Sequence, residues 1–254
     1  MRPSQLATAL AQARRDARLL DGAPAPVRSV EDAYTVQDKL VELSGGGVRG
    51  WKVTALAEAD QRRFSSTRPV AGALLEARVH DAPARLALSS FVQPLLECEV
   101  AFVLGADLPP RDRPYQRAEI ENAIAAVVAL FEVADNRVAA EAPNLLKLAD
   151  SMGNGEVVIG TPVSDWRSVD VTRPEQDIVL TLDGAVVEKG SKSQILGDPL
   201  LAVVALANAQ PLPAGGLRRG QIVTTGTCTK PVPLRKGAYA ADFGTLGIVR
   251  MTIE

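Results

Sequence analysis

Two strongly apolar segments constrain the fold of this chain more than any other feature. Residues 95–104 are apolar apart from Glu97 and Glu99, and the run 125–133 carries its only charge at Glu132. The first segment predicts a strand. The second is a buried strand or a buried helix, because periodicity cannot separate the two in a short apolar run. A sheet-based core is therefore expected around the first segment.

The first 45 residues predict a pair of helices. Apolar residues at three- and four-residue spacing favour an amphipathic helix over 4–20. Ser29 is a predicted N-cap, and the helix that follows it runs through Leu43 to the glycines at 45–47.

Beyond these glycines the sequence favours strands more than helices. Asp183-Gly184 between two apolar segments is a strong hairpin signal. Strands are predicted at 50–53, 86–88, 95–104, 178–182 and 186–188, with three more between 221 and 254, and helices at 57–64, 117–124 and 198–206. The regular strand–helix alternation of a doubly wound fold is absent. The prediction is an α+β protein with an N-terminal helical region (1–45) and a β-rich domain (46–254).

Composition excludes several classes of function. The chain has 254 residues, a formal net charge of -2, 4% aromatic residues and a single histidine, His80. Such a charge predicts neither a nucleic-acid nor a membrane partner, and histidine-based metal or acid/base chemistry is disfavoured. No apolar run approaches ~18 residues, and the N-terminus has no signal-peptide pattern. Because Cys98 and Cys228 are not a CxxC pair, a reduced cytoplasmic protein is expected.

The acidic residues of segment 95–104 are candidate metal ligands. Side chains alternate along a strand, so Glu97 and Glu99 point the same way, with Cα atoms roughly 6.5–7 Å apart. Two like charges among apolar neighbours are costly unless a cation neutralises them. Glu132 is a third candidate, and an all-oxygen site favours Mg²⁺ or Mn²⁺. The alternative is a solvated strand face, on which the glutamates carry no metal.

Lys52 is the second candidate functional residue. It lies in the predicted strand 50–53, between Trp51 and Val53. A lysine here acts as an acid/base or holds a substrate carboxylate, and its pKa responds to burial. The alternative is a solvated lysine on an edge strand.

These segments, taken in order, resemble the 2-keto-4-pentenoate hydratase / 4-oxalocrotonate decarboxylase family of the fumarylacetoacetate hydrolase superfamily. The resemblance covers nearly the whole chain. It rests on Gly50-Trp51-Lys52-Val53, the Glu-x-Glu strand with Asp107-Leu108-Pro109 after it, Glu132 to Arg137, Ala149 to Asn154, Leu196 to Leu200, and Gly220 to Thr227.

The resemblance implies a site and a chemistry. Glu97, Glu99 and Glu132 would bind Mg²⁺ or Mn²⁺, Lys52 would be catalytic, and the substrate-binding residues would be Leu74, Ser151 and Thr227. The fold would be the mixed β-roll or barrel of the superfamily, with 46–254 as its catalytic domain, and the protein a homo-oligomer that associates with a paired pathway enzyme. The substrate would be a small 2-oxo or 2-hydroxydienoic acid of aromatic catabolism.

One motif departs from the family pattern and leaves the reaction open. Hydratases of the family usually have Pro-Asp-aromatic-Gly where this chain has Pro69-Val70-Ala71-Gly72. Val70 thus weakens the expectation of hydration, and the decarboxylase branch tends to have an apolar residue there. The first hypothesis is a 2-keto-4-pentenoate hydratase. The alternatives are a 4-oxalocrotonate decarboxylase and a non-catalytic partner subunit of such a pair, whereas a histidine-using hydrolase is disfavoured.

Overall fold

The computed structural model describes residues 2–20, 27–169, 177–191 and 198–254. The helices within them are α1 (Pro3–Arg15), α2 (Val30–Leu43), α3 (Glu58–Arg62), α4 (Arg117–Ala123), α5 (Asn144–Ala149) and α6 (Leu200–Ala207). The strands are β1 (Val48–Thr54), β2 (Val70–Leu75), β3 (Val79–Asp81), β4 (Ala84–Leu86), β5 (Leu95–Leu104), β6 (Ile124–Ala134), β7 (Asn154–Ile159), β8 (Asp177–Leu182), β9 (Ala185–Ser191), β10 (Ile222–Thr227), β11 (Val232–Pro233), β12 (Gly237–Asp242) and β13 (Ile248–Ile253).

These strands form two sheets. The larger, eight-stranded sheet has the order β2-β1-β10-β5-β6-β7-β3, with β11 paired to β5. The smaller sheet has the order β4-β13-β12-β8-β9. The prediction of an α+β fold with a β-rich core is confirmed, and the apolar run 125–133 is a strand.

The two faces of the larger sheet have different surroundings. Trp51, Cys98 and Phe131 point from one face into a core that also contains Tyr239 and Met251 of the smaller sheet. The sheets therefore pack face to face through this cluster. The opposite face carries a second, smaller apolar cluster, which we call the inner cluster; it consists of Leu74, Ala101, Val128, Leu130, Val157, Ile159 and Ile222.

The N-terminal helices begin as the sequence predicts. The Ser29 side chain accepts a hydrogen bond from the Asp32 amide at 3.1 Å and caps α2. Helix α1 ends at Arg15 rather than near residue 20, since Ala17 has a φ of 47° that no helix continues through.

The buried side chain of Gln37 in helix α2 forms hydrogen bonds with the outer edge of β2. The Gln37 amide nitrogen donates to the carbonyls of Ala71 (3.1 Å) and Leu148 (2.7 Å), and its oxygen accepts from the Ala73 amide (3.0 Å). The Tyr34 hydroxyl accepts from the Ala71 amide. The side chains of α2 therefore supply the partners that a neighbouring strand would supply to β2.

The helical region shares its core with later parts of the chain. Leu6 and Leu10 of α1 are buried in one cluster with Phe64, Val70 and Leu148. The predicted N-terminal helical region (1–45) therefore packs against the predicted β-rich domain (46–254) through this cluster. Among the described helices, none is both long and apolar enough to span a membrane.

Further details differ from the sequence prediction. Leu88 begins a 3₁₀ turn, and the strand there is Ala84–Leu86. The sequence does not predict the short strand β3, which contains His80 and pairs in parallel with β7. The C-terminal segment has four strands instead of three, since β11 forms a short pairing with β5 that residue periodicity does not reveal.

Candidate active site

The predicted ligands and Lys52 lie on the same face of the larger sheet. Glu97 of β5 stands directly opposite Glu132 of β6 in the antiparallel register, and Glu99 is two residues further along β5. Strand alternation places all three carboxylates on the side of the inner cluster. Lys52 reaches the same place from β1, so three strands build the group, which we call the carboxylate site.

Lys52 bridges two of the carboxylates. Its Nζ lies 2.7 Å from Oε1 of Glu132 and 3.6 Å from Oε2 of Glu97. The Glu132 side chain is fully buried, while those of Lys52 and Glu97 retain 14% and 15% exposure. Glu99 is buried and accepts a hydrogen bond from the Gly226 amide at 3.3 Å. The site is thus closed on the sheet side and open to solvent through the ends of Lys52 and Glu97.

The carboxylates disturb one another's ionisation. Burial, and then the neighbouring charges of Glu132 and Glu97, raise the pKa of Glu99 to about 8. Burial also raises the pKa of Glu97, an effect that Lys52 opposes and Glu132 reinforces. Burial lowers the pKa of Lys52, but the surrounding carboxylates outweigh burial and hold that pKa above its ordinary value. The site therefore contains three carboxyl groups and one lysine, whose single positive charge is too small to compensate three ionised carboxylates.

The donor set fits a hard divalent cation. One carboxylate oxygen from each of Glu97, Glu99 and Glu132 lies within 4.8 Å of the others. Oε2 of Glu132 is buried and has no hydrogen-bond partner among the described residues. Fully ionised, the three carboxylates and the ammonium leave two negative charges uncompensated, which a divalent cation would balance.

The three predicted substrate-binding residues occupy different surroundings. Leu74 is fully buried in the inner cluster, on the same sheet face as Lys52. Thr227 stands opposite Glu99 in the register, but its hydroxyl donates to the Thr229 carbonyl at 2.8 Å. Ser151 is buried and has a φ of 51°.

Ser151 approaches the site through its main chain. In the β1–β2 register Gly72 lies opposite Lys52, and a Cβ at Gly72 would lie 2.3 Å from the Ser151 carbonyl oxygen. Only glycine permits this approach. The structure therefore brings Ser151 next to the β1–β2 pair that carries Lys52. Thr227 lies beside Glu99, and Leu74 lies in the inner cluster on the same sheet face.

One residue of the site escaped prediction from the sequence. Asn154, at the start of β7, is 1% exposed, and its Nδ2 donates to Oε1 of Glu132 at 3.3 Å. It lies in a segment already noted for its family resemblance, yet nothing in the sequence marks an asparagine as a partner of Glu132. The pairing arises from the antiparallel contact of β6 and β7.

Residues 76–254 match the family model described as the C-terminal domain of fumarylacetoacetate hydrolase. This match spans more than half of the chain. The chain belongs to the fumarylacetoacetate hydrolase family. Glu97, Glu99 and Glu132 lie inside the matched range, whereas Lys52 precedes it.

Whole-chain comparisons agree with membership of the fumarylacetoacetate hydrolase family. The chain is 30% identical to the 2-keto-4-pentenoate hydratase of Burkholderia vietnamiensis, over 98% of this chain and 95% of that protein. It is 25% identical to a 4-oxalocrotonate decarboxylase of Pseudomonas sp, covering 88% of this chain and 89% of the relative.

A solved structure of the fumarylacetoacetate hydrolase fold shares the whole architecture. The 4-oxalocrotonate decarboxylase of Pseudomonas putida G7, complexed with magnesium and adipate, aligns with a TM-score of 0.82 at 24% identity. The alignment covers 99% of this chain and 97% of that one. The same protein has also been solved with calcium and acetate. The predicted superfamily fold is therefore confirmed.

Proposed function

We propose that this protein is a divalent-metal-dependent lyase that acts on a 2-oxo or 2-hydroxydienoic acid of aromatic catabolism. The observation that carries the proposal is the carboxylate site, where three acidic groups converge around one lysine and no described residue donates to Oε2 of Glu132. An arrangement with so much unbalanced buried charge is expensive in a protein that binds no cation.

Mg²⁺ or Mn²⁺ is the proposed cofactor, held by Glu97, Glu99 and Glu132. Carboxylate oxygens suit both ions, and magnesium typically keeps several coordination positions for water or substrate. When bound, such a cation supplies Lewis-acid stabilisation of the enolate that a 2-oxo acid forms.

Lys52 is the proposed catalytic residue. The surrounding carboxylates favour its ammonium form, so Lys52 acts as a proton donor or as the partner of a substrate carboxylate. Its contact with Oε1 of Glu132 fixes the position of Nζ. Leu74, Ser151 and Thr227 remain the proposed substrate-binding residues, with Ser151 supported by its approach to Gly72.

Hydration of 2-keto-4-pentenoate is the first proposed reaction, because the relative at 30% identity that spans almost the whole chain is named for it. Decarboxylation of 4-oxalocrotonate is the second candidate, because Val70 stands where hydratases of the family usually have aspartate. Val70 is fully buried in the apolar cluster that contains Phe64 and Leu148. A group that handled the added water from this position is therefore missing.

A paired assay tests the proposal. The protein is incubated with 2-hydroxypenta-2,4-dienoate and, separately, with 2-oxohex-3-enedioate, each with Mg²⁺ and with EDTA. Loss of the first compound without CO₂ identifies a hydratase, and CO₂ from the second identifies a decarboxylase. EDTA and Glu97→Gln should each abolish turnover.

Glu156→Gln is the matched control for that assay. Glu156 is as buried as the ligands but pairs with Arg78 and His80 on the other face of β7. Turnover should survive this substitution. Absence of turnover of both compounds in a protein that binds the metal would indicate a different substrate, as Val70 and Ala71 suggest. Absence of metal binding as well would favour the non-catalytic partner subunit.

Homo-oligomerisation, association with a paired pathway enzyme and a cytoplasmic location are further proposals, supported by the family resemblance. Light scattering of the purified protein gives its mass, and a value equal to the 26.8 kDa chain would contradict the first of them.

A further inference from the structure

Asn154 holds one specific oxygen of the carboxylate site. Oε1 of Glu132 accepts hydrogen bonds from Lys52 Nζ at 2.7 Å and from Asn154 Nδ2 at 3.3 Å. The other oxygen, Oε2, is buried and accepts none among the described residues. Asn154 and Lys52 therefore divide the carboxylate into a fully paired oxygen and a free one.

A bulge between β6 and β7 creates this contact. Glu132 pairs with Val157, but the register then shifts, and Ala134 pairs with Asn154 instead of Gly155. Because strand residues alternate, the extra residue turns Asn154 to the side of the sheet that carries Glu132. A side chain at Gly155 would meet the Val133 carbonyl oxygen at 2.6 Å, so glycine is required at the bulge.

The amide of Asn154 is itself incompletely paired. Its Oδ1 is buried and has no hydrogen-bond partner among the described residues. A buried acceptor without a donor destabilises the folded state. An apolar residue at this position would avoid this cost. The presence of an amide is therefore explained by its contacts in the site, where Nδ2 donates to Glu132 and Oδ1 is available to accept from an O–H group.

We propose that Asn154 is a positioning residue of the cation site, which presents Oε2 of Glu132 to the divalent ion by holding Oε1. The inference rests on the proposed function, because it assumes that the carboxylate site binds a cation. Partners of metal-ligating carboxylates typically change metal affinity 10–100-fold when they are removed.

Isothermal titration of the metal-free protein with Mg²⁺ tests the inference without any assay of activity. Asn154→Ala and Asn154→Leu both remove the donor, and Leu preserves the branched shape in case the smaller residue prevents folding. Each should weaken Mg²⁺ binding about 10-fold. Asn154→Gln, which keeps an amide donor, should recover part of the loss.

Glu156→Gln is the control, because Glu156 lies on the same strand and points to the opposite face. Its Kd for Mg²⁺ should stay within about twofold of the wild-type value. A folded Asn154→Ala or Asn154→Leu protein with wild-type Mg²⁺ affinity overturns the inference and leaves the proposed function intact. A wild-type protein that binds neither Mg²⁺ nor Mn²⁺ overturns both.

Discussion

Two clusters of buried charge in the described part of the chain differ in how completely they are paired. The second cluster, which we call the arginine cluster, consists of Arg137, Asp135 and Asp150. Arg137 Nε and Nη2 donate to Asp150 Oδ1 at 3.1 and 2.9 Å, and Nη1 donates to the Asp135 carbonyl. The Asp135 carboxylate accepts from the amides of Val92 and Gln93. The carboxylate site, by contrast, has three acids for one base and an oxygen for which the described residues supply no hydrogen-bond partner.

The difference separates a structural use of buried charge from a functional one. Removing one member of a complete buried pair leaves its partner uncompensated, which strongly destabilises a fold. Neutralising one member of an overcrowded group of like charges relieves repulsion instead. Substitutions in the two clusters should therefore have opposite effects on the free energy of unfolding.

The largest expected effect is in the arginine cluster. Arg137→Met should lower the free energy of unfolding by about 3–5 kcal/mol, since Asp150 would remain buried without its cation. Urea denaturation in EDTA measures this change. Arg85→Met is the control, because Arg85 and Glu254 form an exposed pair worth less than about 1 kcal/mol. Equal effects of the two substitutions would mean that the arginine cluster stabilises the fold no more than an exposed ion pair does.

The next effect concerns the carboxylate site and leaves stability intact. Glu97→Gln should weaken Mg²⁺ binding at least about 100-fold, which corresponds to about 2.7 kcal/mol. The metal-free variant should unfold at the same urea concentration as the wild type or a higher one, because one like charge is gone. A lower midpoint would mean that the glutamates stabilise the fold as the arginine cluster does.

The pH dependence of stability should come from the carboxylate site. The folded protein keeps a proton on Glu99 up to about pH 8, whereas the unfolded chain loses it near 4.5. The folded state binds more protons in this window, so stability of the metal-free protein should fall as pH rises from about 4.5 to 8, by at most about 1.4 kcal/mol per pH unit for one proton. Urea denaturation at several pH values measures this fall in stability, which should be smaller in Glu99→Gln.

The smallest expected effect is the stabilisation by added metal. Mg²⁺ at ten times its Kd should raise the free energy of unfolding by about 1.4 kcal/mol. Asp150→Asn, which damages the arginine cluster alone, should gain the same increment from Mg²⁺ as the wild type. Thermal denaturation with and without Mg²⁺ measures this stabilisation. If Mg²⁺ did not stabilise Asp150→Asn, the two clusters would be coupled.

Local patterns predicted much of this molecule. The cap at Ser29, the hairpin at Asp183-Gly184 and the bounds of β5 follow from turn chemistry and apolar runs, and the structure has all three. The shared face of Glu97 and Glu99 follows from strand alternation alone. The run 125–133 needed the structure, because its partners β5 and β7 decide that it is a strand.

Other features depend on contacts between distant segments. Strands β2 and β7 are too short and too evenly buried to show a period, and the role of Asn154 depends on a bulge at Gly155. The contact of Gln37 with Ala71 and Ala73 joins residues more than 30 positions apart. The sequence therefore singled out the acids and the lysine of the site but not Asn154, which also donates to Glu132.

The amide of Gln37 has a consequence for the solubility of the chain. Since β2 ends the larger sheet, its outer peptide groups at Ala71 and Ala73 would attract any extended segment if α2 did not cover them. Unprotected sheet edges promote association between molecules. A chain shortened to residues 46–254 should consequently aggregate through β2, so the N-terminal helices protect the sheet that carries Lys52 from adding a foreign strand.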